Sequence, residues 1–325
     1  MHECWLGGCA CGPPAILSFL MFHWTEEEVR RRLDPLRVIA AIETAFRDRY
    51  PLVRIPARTH IPTRDGVFLV MPCHDRETVG IKFVTVLNSP RDPGQRIQAT
   101  YMLLDAASAE PRLIIPAGYL TDLRTAATSA VATKLLARAD VQTLGLFGTG
   151  RQARAHARIL PLVRKFRRVV VCGTHPEKTR KFAGEISQAL KLPTEAVDAR
   201  TCAAESDVIC TCTTSRTPLF DGSVLRPGTH LNLVGAFQPD SREVDSLTIQ
   251  RSRIVVDTYD GALTEPGDIL VPMREGVIGR EAILADLHEM TSGKAVRRNP
   301  TDITVFKSVG CALEDLVTAE LLSAQ

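Results

Sequence analysis

Val141-Gln-Thr-Leu-Gly-Leu-Phe-Gly-Thr-Gly-Arg-Gln-Ala-Arg-Ala-His-Ala157 joins an apolar run to a Gly-x-Gly turn and then to a segment typical of a helix. Gly148 permits a tight turn, and Gly150 has no Cβ, so the backbone can come close to a ligand. Ala153 stands where such a helix packs closely on the preceding strand. The first N–H groups of the helix have no partner within it and point toward an anion. The stretch therefore predicts a seat for a dinucleotide pyrophosphate, with an ordinary strand–turn–helix connection as the alternative.

The residues around and after this stretch alternate between short apolar runs and helical segments. The predicted strands are 143–147, 168–172, 207–211, 230–234 and 253–257, and the predicted helical segments are 151–163, 176–190, 242–250, 260–269 and 279–288. Alternation of this kind is typical of a parallel sheet that is covered by helices on both faces. We therefore expect an α/β fold with a doubly wound, Rossmann-type sheet.

The part of the chain before residue 140 has a different pattern. Thr25 can cap a first helix with an acidic first turn, and a second helix is predicted around 34–50. Turn residues such as Asp65-Gly66 then separate five strand-like runs, which predict an antiparallel meander. These runs cover 54–61, 66–71, 80–87, 97–105 and 112–116. A small-residue helix follows over 121–136, and 304–316 has the pattern of a strand, a turn and an amphipathic helix.

Composition and charge restrict the class of protein. A chain of 325 residues is too long for one small core and implies two domains. With 40 basic and 37 acidic residues the net charge is +3, and no Lys/Arg-rich block occurs, so nucleic acid is not an expected partner. No apolar run is long enough to span a bilayer, so we expect no membrane association.

The nine cysteines are odd in number, and several lie inside apolar strand-like runs. This usage is typical of reduced, buried thiols in a cytoplasmic protein rather than of a disulfide framework. Cys4, Cys9 and Cys11 have no further His or Cys partners at metal-ligand spacing, so no metal is expected. Residues 1–23 differ from the rest in composition; we expect a disordered extension, or a working N-terminus near Met21.

The tip of the second strand of the predicted parallel sheet indicates which dinucleotide binds. A site that prefers NAD usually ends this strand with Asp or Glu, which binds the ribose 2′-hydroxyl. No acidic residue stands at this tip; Thr174 and His175 can donate hydrogen bonds, and Lys178 and Arg180 add positive charge. Such a group suits a 2′-phosphate, so we expect NADPH, with NADH or a merely solvated loop as the alternatives.

Two basic residues before the glycine turn stand in unusual places. Arg124 follows the expected helix cap Thr121 by three residues, where a cation opposes the helix dipole unless an anion lies between them. An exposed arginine is the equal alternative. Lys82 shares a strand face with Val84 and Val86, and a lysine among apolar neighbours can exchange protons near neutrality. An edge-strand lysine that blocks aggregation is the more common explanation.

Six motifs, taken in order, resemble the ornithine cyclodeaminase/μ-crystallin family. They are Pro56-Ala-Arg-Thr, Gly80-Ile-Lys-Phe-Val-Thr, Leu123-Arg-Thr-Ala-Ala-Thr-Ser-Ala, Gly148-Thr-Gly-Arg-Gln-Ala, Glu265-Pro-Gly-Asp and Phe306-Lys-Ser-Val-Gly-Cys-Ala-Leu-Glu-Asp. Each motif is modest alone, but the ordered set is specific. From residue type alone, Arg58 and His60 are only polar strand residues, and Glu265 and Asp268 are only acids at a helix start.

The resemblance implies a Rossmann-type parallel sheet inserted in an α+β domain that has an antiparallel sheet. The implied boundaries are 24–138 plus 302–325 for the substrate-binding and dimerisation domain, and 139–301 for the dinucleotide-binding domain. The resemblance also implies a homodimer.

The resemblance further implies that Arg58, Lys82 and Arg124 converge on a substrate carboxylate beside the nicotinamide, and that Phe306-Lys-Ser308 closes over it. Lys82 becomes the expected catalytic residue. The expected contacts of the dinucleotide are Arg124, Thr125, Gly148, Thr149, Gly150, Arg151, Gln152, Ala153, Thr174, His175, Lys178, Thr211, Thr213, Gly235 and Ser308.

One position distinguishes the chemistries within the family. Ornithine cyclodeaminases and related alanine dehydrogenases carry Gly-x-Asp before a Pro, whereas this chain reads Gly235-Ala-Phe-Gln-Pro239, and Asp240 follows the Pro. Phe237 replaces the Asp, so the resemblance implies a ketimine reductase. Its substrate is a cyclic imine such as Δ1-pyrroline-2-carboxylate or Δ1-piperideine-2-carboxylate, with Phe237 as an apolar wall against the ring.

We therefore expect NAD(P)H-dependent reduction of a cyclic imino acid to L-proline or L-pipecolate. Lys82 is the expected proton donor to the imine nitrogen, directly or through water. The alternatives are an alanine-type dehydrogenase, an ornithine cyclodeaminase, a crystallin-like protein that binds NADPH and a small ligand without turnover, and a structural dimer with a vestigial site.

Overall fold

The computed structural model describes residues 24–88 and 97–323. The predicted extension at residues 1–23, with its three cysteines, lies outside these ranges. Within them, no helix has both the length and the apolar character needed to cross a bilayer. The described residues form one antiparallel and one parallel sheet, each with helices packed on it.

The described chain begins with two helices. Thr25 caps the first, α1 (Glu26–Arg32), as predicted: its side chain accepts the N–H of Glu28, and the Glu28 carboxylate accepts the N–H of Thr25. Helix α2 (Pro35–Thr44) continues into a π-helical turn at Ala45–Arg49. The second predicted helix is thereby confirmed.

Five strands form the predicted antiparallel meander, in which each strand pairs with the next one along the chain. They are β1 (Thr59–Thr63), β2 (Gly66–His74), β3 (Thr78–Leu87), β4 (Ile97–Asp105) and β5 (Pro111–Pro116). β1 begins later than predicted, because Arg54 makes only an isolated bridge to His74. Lys82 and Tyr101 pair across β3 and β4, so they share the buried inner face of the sheet.

Helix α3 (Gly118–Leu136) leads from this sheet to the second one and starts earlier than predicted. The expected cap Thr121 lies within the helix, and the residue before the first turn is Ala117, which is fully buried and provides no capping side chain. Arg124 is therefore in the second turn and not at the positive end of the helix dipole, so this part of the prediction is wrong. Ala117 and Leu120 are both buried in the core at the start of the helix.

Eight parallel strands form the second sheet. They are β6 (Thr143–Phe147), β7 (Arg168–Cys172), β8 (Thr194–Ala196), β9 (Val208–Thr211), β10 (His230–Leu233), β11 (Ser252–Val256), β12 (Ile283–Asp286) and β13 (Ile303–Lys307). Their order across the sheet is β12-β11-β13-β10-β9-β6-β7-β8. β6, β9, β10 and β13 are buried along their whole length, as expected for a sheet that is covered on both faces. The predicted doubly wound parallel fold is confirmed.

Helices connect these strands, and a last helix follows β13. They are α4 (Arg151–Ile159), α5 (Pro176–Leu190), α6 (Ala199–Glu205), α7 (Ser246–Gln250), α8 (Tyr259–Ala262), α9 (Gly267–Arg274), α10 (Leu287–Thr291) and α11 (Ala312–Ser323). The chain runs from β6 through β7 to β8 and then returns to β9 on the other side of β6, so the strand order reverses beside β6. Doubly wound sheets bind ligands in the crevice at such a reversal. α11 returns to the antiparallel sheet and packs on β2, β3 and α3.

Two details of the parallel sheet differ from the sequence prediction. The segment 279–288 is predicted to be helical, but it contains β12 between a 3₁₀ turn and the start of α10. β12 is extended because β11 provides a parallel partner. β13 pairs with both β10 and β11, so residues 303–307, which follow the expected domain end at residue 301, belong to the parallel sheet.

Candidate active site

The predicted glycine turn joins β6 to α4, where the strand order reverses. Gly148 has a φ of +105°, and a Cβ at this residue would lie 2.6 Å from the carbonyl oxygen of Cys212, so glycine is required. Gly150 is the N-cap of α4, and a Cβ there would meet nothing within 4 Å. Open space therefore lies directly before the first N–H groups of α4, where an anion is stabilised.

The residues after the turn fit a dinucleotide. Thr149 is half-buried, and the side-chain oxygen of Gln152 is buried without a hydrogen-bond partner among the described residues. Ala153 is fully buried in α4, which fits the predicted close packing of helix on strand. The Arg151 Nε lies 2.8 Å from an Asp122 carboxylate oxygen, so its charge is neutralised on α3 and its backbone N–H remains for an anion.

The tip of β7 carries the residues predicted to select between the two dinucleotides. Thr174, His175 and Lys178 are exposed, and so is Arg180 in α5. His175 is the N-cap of α5 and makes no side-chain hydrogen bond to that helix. Exposed donors and cations at this end of the crevice suit a phosphate group.

Three hydroxyl groups that we expected at the dinucleotide are bonded to acceptors of the chain. Thr125, Thr211 and Ser308 are 6%, 0% and 1% exposed, and each donates its hydroxyl proton to a neighbouring oxygen. These hydroxyls have partners within the chain, and contacts of the three residues with the dinucleotide stay a prediction. Thr213 and Gly235, in the loops after β9 and β10, remain partly accessible.

Lys82 is fully buried on β3, in contact with the start of α11. β3 lies between β2 and β4, so the alternative of an edge-strand lysine does not apply. Its Nζ lies 2.7 Å from Asp315 Oδ2. Burial, together with the positive charge of Arg124, lowers the pKa of Lys82 to about 8 against the opposing effect of Asp315. A lysine with this pKa exchanges its proton near neutral pH, as a general acid or base must.

Arg124 binds the same carboxylate as Lys82. Its Nε lies 3.0 Å from Asp315 Oδ1, and its Nη1 lies 2.6 Å from Glu314 Oε2. Burial raises the pKa of Glu314 to about 7, although the charge of Arg124 acts in the opposite direction. Glu314 and Asp315 stand in the first turn of α11, where the helix dipole favours acids, and they bring both cations into one ionic cluster.

Arg58 reaches this cluster from the segment before β1. One terminal nitrogen donates to the carbonyl of Gly310 at 2.9 Å, and Nε lies 3.2 Å from Glu265 Oε1. The Arg58 side chain is 15% exposed, against 2% and 6% for those of Lys82 and Arg124. Arg58 is therefore the cation that a dissolved ligand reaches first.

The turn after β13 links the cations. Gly310 has a φ of +86°, and a Cβ there would lie 2.6 Å from Arg124 Nη1, while its carbonyl binds Arg58. Asp257 Oδ2 accepts the N–H groups of Val309 and Gly310, each at 2.7 Å, and so holds the turn in place. The structure thus brings together the three cations named by the resemblance and pairs each with a carboxylate of the chain.

A cavity of about 530 Å³ lies beside Arg58, a size suited to a small molecule. Its lining includes the apolar residues Tyr50, Ile55, Met71 and Leu263 and the polar residues His60, Asp260 and Glu265. Phe237, the predicted apolar wall, is 42% exposed and is not among the lining residues. The apolar surface of this cavity thus comes from other side chains.

No role was predicted for Glu243, which accepts the hydroxyl of Thr211, or for the carboxylates that organise the cation cluster, namely Asp257, Glu314 and Asp315. The last two fall inside the quoted C-terminal motif, which therefore carried a signal for them. Asp268, interpreted only as an acid at a helix start, is fully buried 3.0 Å from Lys307 Nζ. Within the described ranges, no cluster of His, Cys, Asp and Glu has the arrangement of a metal site.

Comparison with known proteins places this architecture in a family. The family model described as "Ornithine cyclodeaminase/mu-crystallin family" matches residues 21–324. The chain belongs to the ornithine cyclodeaminase/mu-crystallin family. The resemblance carried by the six sequence motifs is confirmed.

Three proteins illustrate what this family member is similar to. The Δ1-pyrroline-2-carboxylate reductase of Bacillus cereus is 37% identical over 281 residues, which cover 82% of this chain and 84% of that protein. The structure of Thermococcus litoralis Δ1-pyrroline-2-carboxylate reductase with NADH and L-proline has a TM-score of 0.89 at 36% identity and covers 94% of this chain and 97% of that one. An archaeal alanine dehydrogenase dimer with bound NAD has a TM-score of 0.87 at 28% identity and covers 94% and 95%.

Proposed function

We propose that this chain reduces Δ1-pyrroline-2-carboxylate or Δ1-piperideine-2-carboxylate to L-proline or L-pipecolate with a nicotinamide dinucleotide. The observation that carries the proposal is the ionic cluster beside the cavity, in which Lys82 and Arg124 share Asp315 and Arg58 is open to the ligand. The related reductases of B. cereus and T. litoralis are named for Δ1-pyrroline-2-carboxylate. The structure of the T. litoralis reductase contains NADH and L-proline.

The dinucleotide binds across the crevice beside β6. The first N–H groups of α4 would hold the pyrophosphate in the open space at Gly150. Bound nicotinamide supplies a hydride to the imine carbon. Thr213 and Gly235 belong to the wall on the β9 and β10 side, and the exposed donors at the tip of β7 support a preference for NADPH over NADH.

Arg58 binds the substrate carboxylate, with Arg124 behind it. The guanidinium fork of Arg58 can bind a carboxylate through two parallel hydrogen bonds. Glu265 is the present partner of Arg58, and burial raises its pKa, so Glu265 takes up a proton more readily than an exposed glutamate when a second anion arrives. Fixing the carboxylate fixes the position of the C=N bond, and such orientation supplies much of the rate acceleration.

Lys82 donates the proton that the imine nitrogen requires, directly or through one water. With a pKa of about 8, Lys82 is mostly protonated at neutral pH but gives up its proton more easily than an exposed lysine. Asp315 holds the ammonium group in place, and burial together with the charge of Arg124 keeps the pKa of Lys82 low.

A homodimer forms through the outer face of the antiparallel sheet. A row of half-buried apolar residues crosses β2 to β5 on this face: Pro72, Ile81, Met102 and Ile114. Phe68 and Phe83 stack nearby with ring centroids 5.9 Å apart. A contiguous, partly exposed apolar face is typical of a protein interface, and the related archaeal alanine dehydrogenase is described as a dimer.

The roles of the two domains follow from the positions of the substrate site, the dinucleotide crevice and the dimer face. The antiparallel sheet with α11 forms the substrate and dimer domain, and residues 139–307 form the dinucleotide domain.

The six cysteines in the described ranges are free thiols, which supports a cytoplasmic location.

A spectrophotometric assay of NADH and NADPH consumption with each imine tests the proposed reaction. We expect consumption with at least one imine, and tighter binding of NADPH than of NADH in competition. The similarity to an alanine dehydrogenase favours an alanine-type dehydrogenase as the second candidate, which would consume the cofactor with pyruvate plus ammonia. Consumption with pyruvate and ammonia alone would replace the proposal, and dinucleotide binding without turnover would indicate a non-catalytic binding protein.

A further inference from the structure

Glu243 lies in the connection between β10 and α7, and its fully buried carboxylate faces residues that end β9 and follow β9 and β10. Its Oε1 accepts the N–H and the hydroxyl of Thr213 at 2.6 and 2.7 Å. Its Oε2 accepts the hydroxyl of Thr211 and the N–H of Gly235, each at 2.7 Å. Glu243 therefore joins the two loops through two hydrogen bonds to each oxygen.

This arrangement suits an ionised carboxylate and no isosteric amide. An ionised carboxylate only accepts hydrogen bonds and has about four acceptor positions, which these four donors fill. One backbone N–H points at each oxygen of Glu243, and a backbone N–H cannot turn round to accept. A side-chain amide would set one N–H group against another, and a buried donor without an acceptor is costly.

Asp268 and Lys307 form a buried ion pair that fixes the backbone of Glu243. Asp268 Oδ1 accepts the N–H groups of Glu243 and Val244 at 2.7 and 3.2 Å, and its Oδ2 lies 3.0 Å from Lys307 Nζ. Burial and the charge of Asp268 raise the pKa of Glu243, and Lys307 opposes that rise. The three charged side chains are fully buried, so the network gives the carboxylate a single position.

The loops joined by Glu243 form one wall of the crevice. A Cβ added at Gly148 would lie 2.6 Å from the carbonyl oxygen of Cys212 and 3.4 Å from Thr213 Cγ2, so this wall contacts the glycine turn. A Cβ at Gly235 would lie 2.0 Å from the carbonyl oxygen of Thr213, so the two loops touch each other. The carboxylate of Glu243, which sets the spacing of these loops, therefore also sets the shape of the crevice.

We propose that Glu243 is a positioning residue for the dinucleotide, holding the Thr213 and Gly235 loops in the arrangement that receives the nicotinamide half. This role rests on the proposed function, which takes the crevice as the dinucleotide site. A dinucleotide with its pyrophosphate at α4 and its other half toward β7 would have its nicotinamide half against the loops after β9 and β10. Glu243 is buried, so it acts through Thr213 and Gly235 and does not touch the ligand.

Two variants test this role by fluorescence titration of NADH and NADPH in the absence of imine. Glu243→Gln keeps the size of the side chain but breaks the donor pattern, and we expect the Kd of both dinucleotides to rise about tenfold. The KM for the dinucleotide should rise with it, while the KM for the imine stays within about twofold. Thr211→Val removes one bond at a residue that is 0% exposed, and we expect a rise of about threefold.

Asp245→Asn is the matched control. Asp245 also accepts several hydrogen bonds, from the N–H and hydroxyl of Thr248 and from the N–H of Gly222, and it makes none with Thr211, Thr213 or Gly235. This variant should lose thermal stability, because its amide group would face the N–H of Gly222, but it should keep a Kd within about twofold of wild type.

Each outcome decides the matter. A folded E243Q chain with an unchanged Kd overturns the role, and so does a D245N chain that loses as much affinity as E243Q. Should E243Q fail to fold, an unchanged Kd in T211V overturns it. A wild-type chain that binds a dinucleotide but reduces no imine overturns the proposed reaction alone, because the binding comparison needs no imine. A wild-type chain that binds neither dinucleotide overturns both.

Discussion

Lys82 and Asp315 form a buried ion pair with Nζ 2.7 Å from Oδ2, although 233 residues separate them in the chain. Asp315 also binds Arg124, so one carboxylate balances two buried cations. Such a pair adds little net stability, because desolvation opposes the attraction, but loss of one partner typically costs about 3–5 kcal/mol. The pair therefore sets where the ammonium group lies and how readily it gives up its proton.

Replacement of the catalytic lysine should abolish chemistry without abolishing binding. For Lys82→Met we expect kcat to fall by about 10²- to 10⁴-fold, because the proton donor is gone, with the Kd of the dinucleotide unchanged. Lys134→Met is the control, since Lys134 is a half-exposed lysine of α3 paired with Glu43. Steady-state kinetics and titration measure both quantities. Near-normal turnover of K82M would remove Lys82 from the mechanism.

The pH dependence should report the state of Lys82. Imine reduction should slow as pH rises through about 8, the pKa of Lys82, because only its protonated form donates. Oxidation of L-proline needs the neutral form and should quicken over the same range. In Asp315→Asn the charge that raises this pKa is lost, so both profiles should move to lower pH. Profiles of kcat against pH measure this, and an unmoved reduction profile in a folded D315N chain would contradict it.

Arg58→Lys keeps the positive charge beside the cavity but removes the guanidinium fork. We expect the KM for the imine to rise about tenfold with a smaller effect on kcat, because two parallel hydrogen bonds become one. Arg54→Lys, at an exposed position four residues earlier, is the control and should leave both constants near wild type. Equal effects of the two substitutions would show that Arg58 has no specific contact with the substrate.

Replacement of the two glycines of the turn should have different effects on stability and on dinucleotide binding. Gly150→Ala meets no atom within 4 Å in a normal backbone conformation, so we expect an unchanged Tm but a Kd for the dinucleotide raised at least about tenfold, because the methyl group takes the place of a phosphate.

Gly148→Ala, at a positive φ and against Cys212, should cost about 1–3 kcal/mol of stability as well. Gly184→Ala, inside α5 with nothing within 4 Å, is the control and should stabilise by about 0.5–1 kcal/mol. Calorimetry and titration separate these effects, and unimpaired binding by folded G150A would move the pyrophosphate elsewhere.

A charge on the outer face of the antiparallel sheet should separate the proposed dimer. Ile81→Asp buries an unpaired carboxylate in the interface, so we expect light scattering to show monomers. The Tm of the variant should stay near that of the wild type, because Ile81 is only half-buried within its own chain. Leu52→Asp alters an apolar residue that is 76% exposed and should leave the dimer intact. A wild-type chain that is itself monomeric, or a dimeric I81D, would exclude this interface.

Features that depend on near neighbours in the chain are predictable here from the sequence. The glycine turn before α4 and the cap at Thr25 follow from chemistry that acts over three or four residues. The meander follows from strand-like runs separated by turn residues, and the parallel sheet from alternating strand and helix patterns.

Features that depend on a distant partner are not predictable in the same way. β12 is extended because β11 lies beside it, and α3 starts at Gly118 after the buried Ala117, although neither segment shows a local signal for this. Within the site, the family motifs point to Arg58 and Lys82, but residue type alone gives them no role.

By itself, the chain of residues determined a nucleotide-binding sheet, a meander and a family of enzymes, because turn chemistry and hydrophobic period are local properties. Only the tertiary structure decided which carboxylate each cation meets, that Glu243 joins two loops, and that the hydroxyl of Thr211 is buried. The reason is physical: the pKa of a side chain and the reach of a hydrogen bond depend on distance and burial in space, and residues 233 positions apart become neighbours only when the chain has folded.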